Sequence, residues 1–181
     1  MNSEQREKPP NDGALTQEAI DRAFRNQPRH TKLIYELGNS EVTILNGKNT
    51  NRLGVKKVQL PNCGTADVTS LERALIDIAV RPNYADGVFR VVDAFVAARG
   101  RFSVSTLVRT LKALDYTYPY HQAIGFYLKQ AGYSAREWKP FARIGARFDF
   151  YLSHGISGPI LDREWRVFYP TGLNQRSAAH A

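Results

Sequence analysis

Arg73 and Asp77 are oppositely charged residues whose spacing could support chemistry. They lie four positions apart, so on a helix their side chains share one face and can form an ion pair. Such a pair can belong to a functional site, or it can be an ordinary structural contact. The neighbouring Glu72 lies three residues after Thr69, a spacing that predicts a capping box at a helix start. The pattern therefore leaves both roles open for Arg73 and Asp77.

The histidines and the cysteine share no spacing that is typical of metal ligands. They stand at His30, Cys63, His121, His154 and His180. We therefore expect no metal site. His121 and Gln122 lie instead among several tyrosines. Such a cluster could stack a nucleic-acid base or pack the start of a helix, and packing is the favoured interpretation.

Basic residues recur between positions 129 and 147. They are Lys129, Arg136, Lys139, Arg143 and Arg147, with aromatic residues interleaved at Trp138, Phe141 and Phe148. Cationic side chains mixed with aromatic rings suit phosphate contact combined with base stacking. A solvated helix face gives the same pattern. Both interpretations stay open on the sequence alone.

The sequence motifs of common catalytic sites are missing. The chain has no glycine-rich phosphate loop, no serine nucleophile elbow, no HExxH zinc motif and no paired acidic motif of a nucleotidyltransferase. Asp149 is a single carboxylate between Phe148 and Phe150. We therefore expect a protein that is not an enzyme and that carries no cofactor.

The composition is typical of a folded protein in a reducing compartment. The 181 residues are 43% hydrophobic and include one cysteine, which rules out an internal disulfide. The N-terminal residues are polar, and no apolar run approaches the roughly 20 residues of a membrane span. These features predict a cytoplasmic protein without membrane contact. The net charge of +8 favours an anionic partner, although solubility alone also explains it.

The first sixty residues of the chain contain three kinds of segment: an arm, a helix and candidate strands. Residues 1–14 contain prolines and a glycine without apolar periodicity, so they predict a flexible arm. A short helix follows Thr16, with Ile20 and Phe24 on its apolar face. Residues 33–37, 42–45 and 55–60 are rich in strand-forming side chains, and they predict one small antiparallel sheet.

From residue 69 onward the apolar residues recur at helical spacing for about seventy residues. Helix caps are predicted at Ser103 and at Ser134 with Glu137, and Pro140 is predicted to limit the last helix. Aromatic strands at 148–152 and 165–169 close the chain. The periodicity places four residues in the core: Leu75, Phe95, Leu111 and Leu128.

The order of strands, helices and strands, without regular βαβ alternation, predicts an α+β fold. In this fold a helical layer of residues about 70–139 packs on small mixed or antiparallel sheets from residues about 31–60 and 148–169. We expect a single domain over residues 15–173, followed by a flexible tail at residues 174–181.

Two segments carry a resemblance to a known family. The first, residues 68–77, reads VTSLERALID and is followed by an Arg-Pro step at 81–82 and by Gly87. The second, residues 118–128, reads YPYHQAIGFYL and leads to Gly132. In motif and order the chain resembles the C-terminal part of the AbiEi family of type IV antitoxins over roughly residues 40–170, a domain-sized stretch.

In that family an N-terminal winged helix binds the promoter, and the C-terminal domain serves autoregulation and neutralises an AbiEii-type nucleotidyltransferase toxin. Residues 1–30 predict only one helix here, too little for a winged helix. The resemblance implies an antitoxin-type regulatory domain that counteracts a cognate toxin by functional antagonism, without requiring direct contact, and contributes to transcriptional autoregulation. The alternative is a general basic nucleic-acid-binding module, for single-stranded DNA or RNA, without catalysis.

Overall fold

The computed structural model describes residues 2–4, 13–26, 31–61 and 64–173. Within these residues the chain forms six α-helices and nine short strands, which confirms the predicted α+β class. The helices are α1 (Gln17–Arg25), α2 (Leu71–Val80), α3 (Val88–Ala97), α4 (Val104–Leu114), α5 (Tyr120–Gln130) and α6 (Ala135–Ala142). A single 3₁₀ turn, Pro82–Ala85, connects α2 to α3.

The helical layer from α2 to α6 holds much of the hydrophobic core. Helix α2 packs against α3, α4 and α5, and α5 packs against α6. The four predicted core residues Leu75, Phe95, Leu111 and Leu128 are all buried, with 7% exposure or less. Gly125 on α5 lies under the Trp165 ring, where an added Cβ atom would stand 2.0 Å from the ring. The helical periodicity therefore predicted the buried faces correctly.

The start of α2 differs from the predicted capping box. Thr69 is the last residue of a strand, so the helix begins one residue later and Ser70 is its N-cap, with the Ser70 hydroxyl accepting from the Arg73 N–H at 3.2 Å. Glu72 accepts a hydrogen bond from the Ser103 N–H at 3.1 Å and also interacts with the side chain of the N-cap Ser70. The carboxylate thus links the start of α4 to the start of its own helix.

Helix α6 also differs from the prediction at its end. Its Ser134 and Glu137 form the predicted capping box, but Pro140 lies inside the helix, which continues to Ala142. A proline at this position removes one N–H bond to the carbonyl of Arg136, an exposed residue whose carbonyl water can satisfy. Burial of Phe141, which is 0% exposed, favours the extra turn.

The strands are β1 (Asn2–Glu4), β2 (Ile34–Leu37), β3 (Ser40–Thr43), β4 (Leu45–Gly47), β5 (Val55–Leu60), β6 (Gly64–Thr69), β7 (Phe150–Tyr151), β8 (Ile160–Asp162) and β9 (Val167–Tyr169). The predicted single N-terminal sheet is wrong. Strands β2 and β3 form one antiparallel hairpin, β5 and β6 form another, and β4 pairs in parallel with β1. Each candidate strand finds its partner next to it in the chain or in β1, so no common sheet forms.

The two predicted aromatic strands meet in the closing sheet. Strand β9 lies in the centre, parallel to β7 and antiparallel to β8. Helix α1 packs against this sheet, because the Gln17 side chain donates to the Asp149 carbonyl and accepts from the Asp149 N–H, both at 2.8 Å. Phe24 on α1 stacks on His154 with the ring centroids 4.6 Å apart. The first helix and the last strands therefore form one packed unit.

Parts of the predicted arm and tail lie outside the described residues. Within the arm, residues 2–4 form β1, whereas residues 1 and 5–12, the tail 174–181, and His30, Cys63 and His180 are not among the described positions. The single-domain boundary at 15–173 stays a prediction. Among the helices of the described segments, none combines the length and apolar character that crossing a membrane requires.

Candidate functional site

A cavity of about 230 Å³ lies between α2, β4 and the segment that follows α4. Helix α2 contributes Arg73 and Asp77, the first pair singled out from the sequence, and the residue after the helix contributes Arg81. Lys48 enters from the residue after β4, and Tyr116 from the segment after α4. The cavity therefore gathers charged side chains from two separate parts of the chain and a tyrosine from a third.

Arg73 is the structural centre of this group. Its side chain is only 3% exposed, and its Nε donates to Oδ1 of Asp77 at 2.8 Å. Its Nη1 donates to the Leu53 carbonyl at 2.6 Å and to the Thr50 hydroxyl at 3.2 Å. The predicted i, i+4 ion pair is therefore formed. The same guanidinium ties α2 to the loop before β5.

Asp77 is the acidic member of the group. Burial raises the pKa of its carboxyl, and the nearby positive charges of Arg73 and Arg81 only partly offset that effect. Its side chain is 35% exposed, so the carboxylate keeps access to the cavity. Against this one carboxylate the lining carries three cationic side chains, those of Lys48, Arg73 and Arg81. The cavity is therefore positively charged.

Lys48 and Arg81 each use only part of their donor capacity. The Lys48 ammonium donates to the carbonyls of Leu114 and Asp115, at 3.0 and 2.6 Å, at the C-terminal end of α4. The Nη2 of Arg81 donates to the Asn46 carbonyl at 2.8 Å, the one hydrogen bond of this side chain to the described part of the chain. An ammonium has three N–H donors and a guanidinium five, so both retain donors. The arrangement can bind a small anion.

A second, more open cavity of about 280 Å³ adjoins the first at Tyr116 and includes His121. The Nε2 of His121 lies 2.7 Å from the Gly145 carbonyl, so this nitrogen carries the proton and Nδ1 is the acceptor of the neutral ring. Burial lowers the pKa of His121, and the bond to Gly145 only partly offsets that effect. Burial of this ring therefore favours its neutral form.

The tyrosines around His121 pack mainly on one another and on the closing sheet. The rings of Tyr116 and Tyr120 lie edge to face at 5.3 Å, and Tyr120 meets Phe150 in the same way at 5.2 Å. The ring of Tyr118 meets that of Phe24 at 5.5 Å. These contacts join α1, α5 and β7. The arrangement corresponds to the packing interpretation of the cluster.

Gln122 lies in the core rather than in the cavity that its neighbour His121 lines. It is 1% exposed, and its Nε2 donates to the carbonyls of Phe148 and Trp165, at 2.7 and 2.8 Å. Its Oε1 has no hydrogen-bond partner among the described residues. The side chain thus ties α5 to the two segments that lead into β7 and β9. It does not face either cavity.

The five basic residues between positions 129 and 147 separate into two groups. Lys129 forms an ion pair with Glu164, and the Arg147 guanidinium lies 5.1 Å from the centre of the Phe148 ring. The other three have no ion pair with any described residue, and they are exposed at helical spacings of three and four along one face of α6 and its C-cap: Arg136, Lys139 and, at the C-cap, Arg143. We call these three residues the α6 ridge.

The aromatic residues of the same stretch are used in packing. Phe141 is fully buried, and the Trp138 ring meets the Trp165 ring edge to face at 6.1 Å. Phe148 is half-buried beside Arg147. Base stacking by several of these rings would require them to leave the core. The geometry therefore favours phosphate contact over stacking for this surface.

Sequence reasoning missed Lys48 and Tyr116 as members of the charged cavity. Lys48 follows an Asn-Gly turn signal, and nothing in its local pattern points to a helix end more than sixty residues away, at Leu114 and Asp115. The sequence Arg81-Pro82 predicts only the end of a helix. Helical spacing places Arg81 near Asp77, four positions before it, whereas only the tertiary fold brings Lys48 and Tyr116 to this cavity.

Other features relevant to chemistry are limited within the described residues. No group of three or more His, Cys, Asp or Glu side chains there is placed to hold a metal ion. Asp149, the single carboxylate noted in the sequence, accepts from Nε of Arg166 at 2.8 Å. No family model matches the chain, and neither a curated protein nor a solved structure matches it. The resemblance to the AbiEi family therefore stays a prediction.

Proposed function

We propose that this chain is a non-catalytic regulatory domain of the antitoxin type, which acts in the cytoplasm and counteracts an AbiEii-type nucleotidyltransferase toxin. The observation that carries the proposal is the position of the two segments that resemble the AbiEi family. They form α2 and α5, which pack directly against each other. Two segments that are far apart in the chain thus meet in one structural unit.

The residues of the two segments have specific structural roles that support this proposal. Arg73 bridges α2 and the loop before β5 through Leu53, as its buried guanidinium requires. Gly125 is the α5 residue on which the Trp165 ring lies, so a larger residue would displace the ring. Motif residues of this kind specify a fold. The two segments that carry the resemblance are therefore also segments that shape the fold of the chain, which supports the proposal.

A growth-rescue experiment tests the proposal. The full chain is co-expressed with the AbiEii-type toxin from the gene next to its own, and growth is expected to recover. Gly125→Leu, which places a side chain into the Trp165 ring, is expected to abolish rescue. Gly13→Leu is the matched control, because a Cβ atom at Gly13 meets nothing within 4 Å. Toxicity that persists beside abundant, folded wild-type chain would contradict the proposal.

A second candidate function, general nucleic-acid binding, is favoured by one observation, the α6 ridge. Three cations without ion pairs on one helix face can contact successive phosphates of a nucleic acid. Replacing all three with glutamine is expected to lower the salt dependence of RNA and DNA binding by about two to three in the slope of log K against log salt. The matched control replaces three arginines elsewhere on the helical layer: Arg90, Arg101 and Arg109.

The two experiments separate the candidates. Rescue that survives neutralisation of the α6 ridge supports the antitoxin proposal and shows that the ridge is not needed for it. Salt-sensitive binding that depends on the ridge, without any rescue, supports the nucleic-acid module. An unchanged slope in the ridge variant would exclude this surface as the phosphate contact.

A further inference from the structure

Strand β2 is an apolar strand that lies on the surface. Four of its apolar side chains, counting the residue before the strand, are between 41% and 71% exposed: Leu33, Ile34, Tyr35 and Leu37. The strand pairs along one edge with β3, and no other described strand meets its second edge. A free, apolar edge of this kind is a template for pairing with another strand.

The hairpin register determines which backbone groups face the free edge. Leu37 pairs with Ser40 beside the turn, and the Leu33 carbonyl accepts from the Ile44 N–H at 2.9 Å. In an antiparallel pair the hydrogen-bonding groups of successive residues point to alternate edges. The N–H and C=O groups of Lys32, Ile34 and Glu36 therefore point away from β3, toward the free edge.

The same register creates a charge problem inside the hairpin. Glu36 lies directly opposite Glu41, and both side chains are exposed. Like charges at directly opposed positions destabilise a strand pair. Lys32 is also exposed, and it has no ion pair with the described residues. The hairpin therefore carries two opposed carboxylates near its turn, Glu36 and Glu41, and one unpaired cation, Lys32, just before the start of β2.

We propose that a second copy of this chain pairs with the free edge, β2 against β2 in antiparallel orientation, with Ile34 at the two-fold axis. In this register Lys32 of each copy lies opposite Glu36 of the other, so two ion pairs form and each offsets the Glu36–Glu41 repulsion. Leu33 lies opposite Tyr35 of the second copy, twice, which continues one apolar face. The result is a four-stranded antiparallel sheet, more stable than an isolated hairpin.

The charges select this register over its neighbours. Pairing centred on Tyr35 also brings the outward backbone groups together, but it places Ile34 opposite Glu36 and leaves Lys32 beyond the strand, opposite Gly38. Pairing centred on Leu33 places Lys32 opposite Ile34. Only the register centred on Ile34 matches each charge with its opposite. This complementarity identifies the occupant as a second copy rather than an unrelated strand.

Charge reversal with sedimentation velocity tests the proposal on the full chain. The wild type is expected to be a dimer at about 100 µM, a high concentration chosen because interfaces this small associate weakly. Lys32→Glu alone and Glu36→Lys alone are each expected to be monomeric, since each places like charges opposite one another twice. An equimolar mixture of the two variants is expected to form a dimer, because opposite charges then meet at both positions.

Two controls make the outcome specific. Glu36→Lys removes the Glu36–Glu41 repulsion, so in dilute solution, where both proteins are monomeric, its thermal stability should equal or exceed that of the wild type, and unfolding cannot explain its failure to dimerise. Lys56→Glu makes the same charge change on an exposed residue of β5 and should leave the dimer intact. A monomeric wild type, single variants that remain dimeric, or a mixture that stays monomeric would each overturn the proposal.

Discussion

The helical layer and the N-terminal hairpins differ sharply in how they use apolar residues. In α5 the seven consecutive residues from Gln122 to Leu128 are all buried. Over the described residues of the strands β2 to β6, only Gly47 is buried. Both regions contain strongly apolar segments, but only one of them forms a core. The stability of the chain therefore resides in the helices and the closing sheet, and the hairpins depend on contacts made to that unit or to other molecules.

A leucine-to-alanine substitution in each region gives the largest expected difference in the free energy of unfolding. Leu75→Ala on α2 should lower the free energy of unfolding by about 2–5 kcal/mol, because the leucine is 2% exposed and its removal leaves a cavity. Leu37→Ala on β2, where the leucine is 71% exposed, should change it by less than about 0.5 kcal/mol. Urea unfolding of dilute protein measures both. Equal losses would show that the hairpin belongs to the cooperative core.

Arg73 links α2 to the loop before β5, so its removal tests how much this link contributes to the free energy of unfolding. Arg73→Ala should cost about 3 kcal/mol, at the low end for a broken buried pair because Asp77 is 35% exposed. The matched control is Arg90→Ala, whose pairs with Asp86 and Asp93 are exposed and 3.6 Å long. That change should cost less than about 0.5 kcal/mol. Similar costs in thermal or urea unfolding would mean that the Arg73 contacts contribute little.

Two tyrosines sharpen the comparison within the packed region, where a buried polar group must find a partner. The Tyr127 hydroxyl is buried without a hydrogen-bond partner among the described residues, so Tyr127→Phe should raise stability by about 1 kcal/mol. The Tyr133 hydroxyl donates to the Phe95 carbonyl at 2.8 Å, so Tyr133→Phe should lower stability by about 1 kcal/mol. Unfolding curves with the same sign for both variants would contradict this account.

The smallest expected effect is that of His121 on the pH dependence of stability, and the sign of this effect follows from the burial of the ring. Its pKa in the folded state is lowered below 6.5, so between these values the unfolded chain binds more protons than the folded chain. The stability from the neutral imidazole is present above pH 6.5 and is lost as the pH falls through the folded pKa. The drop in unfolding free energy between pH 7.5 and 5.5 should therefore shrink in His121→Gln. An unchanged drop would show that His121 is not responsible.

The sequence predicted local features well and pairings over long distances poorly. The caps at Thr16 and Ser103 and the buried faces of the helices depend on residues a few positions apart, so the pattern contains them. Strand β6 was missed because its sequence, GTADVT, opens with a glycine after a proline turn. Strand β8 directly follows Gly158 and Pro159, a pair that predicts a turn, so no local pattern indicates a strand there.

The candidate site shows the same limit. The Arg73–Asp77 pair follows from helical spacing and was predicted as a contact. Arg81 ends the same helix four positions after Asp77, so its place also follows from local spacing. Lys48 reaches the cavity because the end of β4 lies beside α2, and no local pattern specifies that approach. The bond from the Ser103 N–H to Glu72, 31 positions away, likewise depends on tertiary packing.

The position of Trp165 determines what fluorescence can report about this protein. The sequence has two tryptophans, and both lie at the junction where the closing sheet meets α5 and α6. Trp165 is 2% exposed, so its emission should move to longer wavelength when that junction opens. The β2–β3 hairpin contains no indole. Its detachment, or its capture by a second chain, would leave the tryptophan emission unchanged, and a label on the hairpin itself would be needed to follow it.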